Sequence, residues 1–522
     1  MLNISSRRDS FSKQLPKNLI FNFGYFGINI IIGLLLVPYF IDTLGVAGYA
    51  LIPLATSMTG YVNLVIQSLN SSVSRYLTID LQKEDYDKAN ITFNTALFGT
   101  LGIVLLMVPI VFVLSFYAPD FFSIPANQKQ DAILLFLGVI GAFLIRAWSS
   151  NFGVSLFAYN RLDLQNIIDS INLLVQVALI IILFSIFSPK LSYIGLSYLL
   201  SASVASIVTF LFSKKVNPHL KVKIKDFKAS SLRNVAETGG WLTINQIGGL
   251  LYLQIDLIIV NKFFGAAAGG EYSIVLMWSI LIRTIAGIIA GVLTPVILSN
   301  YAKDKNEEII TMAKSSVKFM GLAMALPIGL ICGFSPLVLS LWVGPEFVKL
   351  WPLMVIHLLH LVINLSVSPL FSINIAFNKV KIPGLVTFFT GIGNLLLAIT
   401  FALITNLNYY GVAVAGAIML TSKNFVFTPL YTAKIMGMPK KTFVESMLPG
   451  IVSVFAVTGI AWTIYKYTNI SNLLSLSVAC ITISIVYLGF SWVTFLNKAE
   501  CKIILSFIPL KIMRQLGHHE CE

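Results

Sequence analysis

Four ionisable side chains interrupt otherwise apolar runs: Arg146 in GAFLIRAWSSNFG, Arg283 in WSILIRTIAGIIAG, Lys423 in IMLTSKNFVFTP and Asp256 in LYLQIDLIIVNKF. At the centre of a membrane helix each costs roughly 2.5 to 3.5 kcal/mol, so the four together cost about 10 kcal/mol unless they face one another or water. That cost predicts a shared hydrated cavity holding three cations and one acid, a net positive site suited to an anionic cargo. A guanidinium suits phosphate because it bonds two oxygens at once, and more strongly where water is scarce. Arg283, with apolar sequence on both sides, is the principal anion contact expected. Arg146, nearer the inner face, and Lys423 are secondary. Asp256 either titrates or binds a coupling cation, H+ or Na+, or it permanently neutralises an arginine. His357 and His360, three apart in MVIHLLHLVIN, share one helix face and are candidates to carry protons.

Each of these residues also has a purely structural reading. Arg146 and Arg283 can snorkel or pair with an acid such as Asp256 or Asp169, Lys423 can reach an interface along its own stem, and two histidines near an outer membrane surface can simply pack. Asn29, Gln67, Asn70, Asn245, Gln246 and Gln254 add neutral hydrogen-bonding capacity that either lines a cleft or joins helices. The sequence has no HExxH, GxSxG or GxxxxGK[ST] pattern, which points away from an enzyme and from ATP hydrolysis in cis. Cys332, Cys480, Cys501 and Cys521 form no CxxC pair, so neither a metal site, a bound cofactor nor a disulfide framework is expected.

The elements that must position these side chains are membrane helices. The chain is 57% hydrophobic and 11% charged, with a mean hydropathy of +0.85, far from a soluble globular composition. Runs such as Ile103 to Phe116 and Leu173 to Phe187 belong to stretches long enough to cross a hydrocarbon core about 30 Å thick. Fourteen spans are expected, starting near residues 18, 48, 90, 131, 166, 191, 238, 270, 312, 352, 384, 410, 443 and 472. An even number places both termini on one side, read as the cytoplasm. Of the 36 Lys and Arg, only Lys129, Lys190, Lys262, Lys349 and Lys466 then fall in outer loops, and Arg146, Arg283 and Lys423 inside spans. That asymmetry is the positive-inside rule, so the net charge of +14 reflects topology and needs no nucleic-acid partner. The longest basic stretch, KKVNPHLKVKIKDFKASSLR from Lys214 to Arg233, reads as a solvated linker or as a segment lying on anionic lipid headgroups.

Internal echoes recur in order. LFAYNRLDLQ is matched by NIAFNKVKIP with Asn160 and Asn378 218 residues apart, SYIGLS by NYYGVA with Gly195 and Gly411 216 apart, and LGVAGYAL by FGAAAGGEYS with Gly45 and Gly265 220 apart. A near-constant offset predicts two homologous six-helix bundles in parallel orientation. The division expected is a cytoplasmic arm over residues 1–17, a bundle over 18–213, a basic cytoplasmic linker over 214–237, a second bundle over 238–436, two appended helices over 437–496 and a cytoplasmic tail over 497–522. The fold class is an all-α membrane protein.

This organisation, together with the opening span NFGYFGINIIIGLLLVPYFIDTLG, the GEYS element and the AYNR and AFNK loops, resembles the polysaccharide transporter family of the multidrug/oligosaccharidyl-lipid/polysaccharide exporter superfamily, the O-antigen-type flippases. The resemblance implies a V-shaped pair of bundles in the cytoplasmic membrane that alternates between inward and outward openings. It implies as cargo a polyprenyl-pyrophosphate-linked oligosaccharide for surface polysaccharide such as lipopolysaccharide O-antigen, membrane lipids as surroundings, and a polysaccharide polymerase or assembly proteins as partners. Arg283 matches the family's cationic cavity position. A lipid II flippase would carry more arginines in its first two spans, whereas none lies between Lys17 and Arg75. A multidrug antiporter would carry twelve spans and an acidic cavity. A membrane scaffold for polysaccharide assembly leaves Arg283 without a role.

Overall fold

The computed structural model describes residues 11–122, 124–228, 245–302, 306–497 and 500. Most of the N-terminal arm, residues 229–244 of the linker and seventh-span start, and the tail beyond 500 lie outside the described residues, and Gln67 and Asn70 lie where only the backbone is described. Among the described residues every regular element is helical. Helix α1 spans Phe11–Gln82, α2 Tyr86–Phe121, α3 Lys129–Ala158, α4 Leu162–Ile186, α5 Leu191–Val216, α6 residues 245–253 and α7 Ile255–Ala302. They are followed by α8 Asn306–Gly333, α9 Ser335–Trp342, α10 Trp351–Leu359, α11 Leu361–Ser366 and α12 Ser368–Ala376. The last five are α13 Lys381–Ile404, α14 Tyr409–Thr421, α15 Thr428–Ile435, α16 Thr442–Tyr467 and α17 Leu473–Thr494. Twelve helical stretches among the described residues are long and apolar enough to cross a membrane. The protein is an all-α membrane protein.

Two of those stretches, Ile20–Leu64 and Asn245–Gly291, hold 45 and 47 residues. At 1.5 Å per residue a straight helix of that length would run about 70 Å, more than twice the hydrocarbon thickness. Both are broken by a glycine: Gly45 at φ 72°, ψ 166° and Gly265 at φ 83°, ψ 173°. That backbone region is closed to residues with a Cβ. The LGVAG and FGAAAGG echoes therefore mark the same backbone break at two places in the chain.

The Asn echo has an equally local cause. Asn160 follows α3 at φ 54° and Asn378 follows α12 at φ 53°. In each, the next amide reaches back five residues to close the helix end: Arg161 N–H to Leu156 O at 2.8 Å, and Lys379 N–H to Asn374 O at 2.8 Å. Asparagine tolerates the left-handed conformation better than other side-chain-bearing residues, which makes it the natural terminator where glycine is not used.

By contacts the chain divides into two compact units, one of residues 1–274 with 381–419 and the other of 275–380 with 420–522. In the first, α3 packs along α5 through Gly138 and Gly195. A Cβ on Gly138 would lie 2.3 Å from the Gly195 carbonyl oxygen, and one on Gly195 2.5 Å from that of Leu134. Small residues allow this approach, and without a water-driven hydrophobic effect between helices, close packing is what holds them. In the second unit α8 and α16 meet in the same way at Gly321 and Gly450. Large apolar side chains cover the outside, among them Ile404 in the first unit and Leu474 and Val493 in the second, as expected of surfaces that face lipid.

Gly195→Leu is expected to force α3 from α5 and lower the apparent melting temperature in detergent, an overpacking cost of about 1–3 kcal/mol or more. A melting curve unchanged from the parent would contradict the crossing.

Candidate functional site

Arg146 lies on the fifth turn of α3 with its guanidinium turned to α4. Nη2 donates to Asp169 Oδ1 at 2.5 Å and Nη1 to the Thr209 hydroxyl at 3.5 Å. Both members of the ion pair are about three-quarters buried. Gln165, one turn before Asp169 on α4, hydrogen-bonds the same carboxylate, and Tyr25 of α1, itself bonded to Asn29, lies within electrostatic range of the pair. Arg146 borders a cavity of about 240 Å³ lined also by Ser150, Phe157, Gln165 and Thr209. Of the partners weighed from sequence, Asp169 is the one that engages Arg146.

Asp256 opens α7 and is buried in the first unit. Its carboxylate accepts from Asn394 Nδ2 on α13 at 3.0 Å and from the Tyr272 hydroxyl at 3.3 Å. Asn394 Nδ2 also approaches the Leu251 carbonyl at 3.2 Å, while its Oδ1 is buried without a hydrogen-bond partner. Helix α14 presents Gly416 here. A Cβ at that position would stand 3.1 Å from Asp256 Oδ2 and 3.7 Å from Asn394 Oδ1, so the absent side chain leaves a recess bordered by two oxygens. Oxygen-rich recesses carrying one carboxylate suit a proton or a small hard cation. Among the described residues no three His, Cys, Asp or Glu side chains gather as a metal centre.

In the second unit Arg283 is half-buried, and its Nε donates to Ser279 Oγ one turn earlier at 3.3 Å. Its charge acts on His357 and His360, both on the α10–α11 stretch. Asn364 Nδ2 lies 2.6 Å from His360 Nδ1, donates to the His360 carbonyl at 2.9 Å and reaches the Thr421 hydroxyl at 3.4 Å. Asn424 Nδ2 in turn donates to Asn364 Oδ1 at 3.0 Å, and Thr428 to Asn424 Oδ1 at 3.2 Å.

That chain ends on a π-helix, Ser422–Phe427, in which the Thr428 N–H bonds the Lys423 carbonyl five residues back. Pro429 supplies the physical reason: it has no N–H to give residue 425 and its ring crowds that carbonyl, so the ladder widens just before it. Lys423 sits on the widened turn. It is buried, with Nζ 5.5 Å from the Phe371 ring centroid. The long stem that offered a route to an interface instead holds the ammonium inside the unit.

Asn364, Asn394, Asn424, Gln165 and Thr209 were not singled out from the sequence. Lone amides in apolar runs, as in GIGNLLLAIT around Asn394, were the available signal; which helix each would meet depends on rotations that a single span does not encode.

With this geometry in view, comparison with known proteins places the chain. A model of the polysaccharide biosynthesis protein family matches residues 15–301. The chain belongs to that family. It is 32% identical over 492 residues to the membrane protein EpsK of Bacillus subtilis (strain 168), described as uncharacterized, over 94% of this chain and 97% of the relative. Among solved structures, the lipid II flippase MurJ in an inward closed conformation matches with a TM-score of 0.68 at 17% identity, covering 92% of this chain and 98% of that one. An inward-facing multidrug resistance MATE family transporter of the MOP superfamily matches at 0.59 and 15% identity, covering 82% and 99%. The fold is thus that of MOP-superfamily transporters, as the sequence resemblance implied. The family match takes in Arg146, Asp256 and Arg283.

The AYNR loop itself carries a buried cluster. Asp163 is fully buried and receives Arg161 Nε and Nη2 at 3.0 and 3.1 Å, Gln14 Nε2 at 2.9 Å, and the Lys17 ammonium at 3.8 Å. Asn18 Oδ1 accepts from the Asp163 N–H at 3.0 Å and Asn18 Nδ2 donates to the Asn160 carbonyl at 3.0 Å. The start of α1 is thereby tied to the α3–α4 loop. Arg161→Met is expected to destabilise the protein by roughly 3–5 kcal/mol, because it strands a buried carboxylate, with Arg161→Lys recovering part. Apparent melting temperature in detergent checks the order; a parent-like Arg161→Met would show the cluster to be dispensable.

Proposed function

We propose that the protein translocates a polyprenyl-pyrophosphate-linked oligosaccharide across the cytoplasmic membrane by alternating access, for assembly of a surface polysaccharide of the O-antigen type. The observation that carries the reading is Arg283: a guanidinium on a membrane helix, hydrogen-bonded to Ser279 and within electrostatic range of the two imidazoles of His357 and His360, in a chain of the polysaccharide biosynthesis family. Arg283 binds the pyrophosphate, with Arg146 and Lys423 as secondary anion contacts. The protein acts as a carrier and not as an enzyme, and a polymerase or other assembly protein takes the delivered glycan.

Asp256 is the coupling residue in this reading. Asn394 and Tyr272 orient its carboxylate, and the recess at Gly416 accommodates H+ or Na+. His357 and His360 are secondary proton carriers. In this reading the chain turns back at the Gly45 and Gly265 breaks, for fourteen crossings in two parallel six-helix bundles plus an appended pair, with both termini cytoplasmic.

A second reading, a lipid II-like cargo, is supported by the higher TM-score to MurJ than to the MATE transporter. Both cargoes present a pyrophosphate, and the glycan separates them.

The test is flipping of a fluorescent polyprenyl-pyrophosphate oligosaccharide in proteoliposomes, with lipid II as competitor and with or without H+ and Na+ gradients. Arg283→Ala is expected to slow flipping about ten- to hundredfold, the worth of a charge-assisted hydrogen bond of 1.5–3 kcal/mol, with Arg283→Lys partly restoring it. Asp256→Asn is expected to abolish gradient stimulation. Parent-like flipping by Arg283→Ala would remove Arg283 from the cargo site, and strong competition by lipid II would favour the second reading.

A further inference from the structure

The basic linker is held in place by α2. After α5 ends at Val216, residues 217–228 run beside the first turns of α2 and borrow hydrogen bonds from its side chains. Asn90 donates to the His219 carbonyl at 3.1 Å and accepts from the Lys221 N–H at 2.8 Å. One turn on, Asn94 donates to the Lys221 carbonyl at 2.9 Å and accepts from the Lys223 N–H at 2.8 Å. The Thr95 hydroxyl accepts from the Lys228 N–H at 3.0 Å, and Tyr86 stacks on His219 with centroids 4.3 Å apart. Two asparagines at i and i+4 thus act as a surrogate neighbouring strand.

This anchoring fixes the backbone and leaves the side chains outward. Lys221, Lys223, Lys225 and Lys228 are exposed, as are Lys214 and Lys215 on the last turn of α5. Between them Val222, Ile224 and Phe227 are 52%, 73% and 37% exposed. Six cations and one acid, Asp226, thus share a short strap with three outward apolar groups. A linker that only fixed topology would need neither the amide ladder nor apolar side chains turned away from the protein.

The location supplies the partner. Both flanking helices are candidate crossings, one starting at Tyr86 and the other ending at Val216. A strap running along the first three turns of α2, at the end of two candidate crossings, is placed where lysines would meet headgroup phosphates and short apolar side chains the acyl boundary. We propose that residues 214–228 form a docking strap for anionic phospholipid headgroups.

A probe at the most exposed apolar position tests this. Ile224→Cys, in a chain with Cys332, Cys480, Cys501 and Cys521 replaced by alanine, is labelled with an environment-sensitive fluorophore. It is then reconstituted into vesicles of phosphatidylcholine with or without phosphatidylglycerol. Emission is expected to shift to the blue and brighten with phosphatidylglycerol and to revert in high salt. Changing Lys221, Lys223, Lys225 and Lys228 to Gln in turn is expected to weaken the response by about fivefold in lipid partitioning per lysine, the worth of one cation at an anionic surface. Asn94→Ala, which frees the strap, should also weaken it. Emission that ignores phosphatidylglycerol in the protein that keeps all six strap lysines overturns the proposal whatever the lysine variants do. So does a shift reproduced by inorganic phosphate over phosphatidylcholine alone.

Discussion

A polar group placed in hydrocarbon finds no solvent to bond, so its partners must come from the protein itself. The hydroxyls on lipid-facing surfaces show the simplest solution. Ser185, Thr400, Ser477 and Thr482 each return their proton to the carbonyl four residues earlier on the same helix, at 2.7 to 2.9 Å, and ask nothing of a neighbour. Charged and amide groups are too large for that economy. Arg146 is met by Asp169 from another helix, Asp256 by Asn394 and Tyr272, and Asn424 by Asn364. These side-chain bonds between helices fix the rotation of each helix against the next, and with it the lining of each candidate site.

Breaks in the backbone ladder obey the same constraint. At Gly45 and Gly265 the chain leaves helical geometry at points where only glycine fits, and at Asn160 and Asn378 it closes the helix end with a bond to the carbonyl five residues back. At Pro429 the missing donor is absorbed by widening the preceding turn, with the Thr428 N–H redirected to Lys423. At the two asparagines and at Pro429 one bonding pattern is exchanged for another of defined geometry.

What could be read from sequence follows from how local its cause is. The helix starts at Leu191, Tyr409, Thr442 and Leu473 fall within about a residue of the expected positions, because apolar length and punctuation suffice to set them. The AYNR and AFNK echo was legible as a pattern and proves to be a helix terminator that needs left-handed asparagine. The environment of Lys423 was not legible: the π-turn depends on a proline six residues later, and the burial depends on Phe371 from another helix. Asn394 was missed because a single amide in a run of leucines carries no sign of the carboxylate 138 residues earlier in the chain.

The Arg146–Asp169 pair sets what anion binding at Arg146 would require. A phosphate reaching Arg146 has to compete with a carboxylate already 2.5 Å from the guanidinium and held there by its own helix and by Gln165. Displacing it returns an acid to a site about three-quarters buried, and the cost of that acid subtracts from whatever the phosphate gains. Exchange is favourable only if the displaced carboxylate finds donors besides Gln165, which already bonds it. Arg146 would therefore make an anion contact only at the expense of the Asp169 pair. Its neighbour Thr209 on α5 and the adjoining cavity give an incoming oxygen a second bond only while α3, α4 and α5 keep their present rotation, so any anion held there would report directly on the arrangement of those three helices.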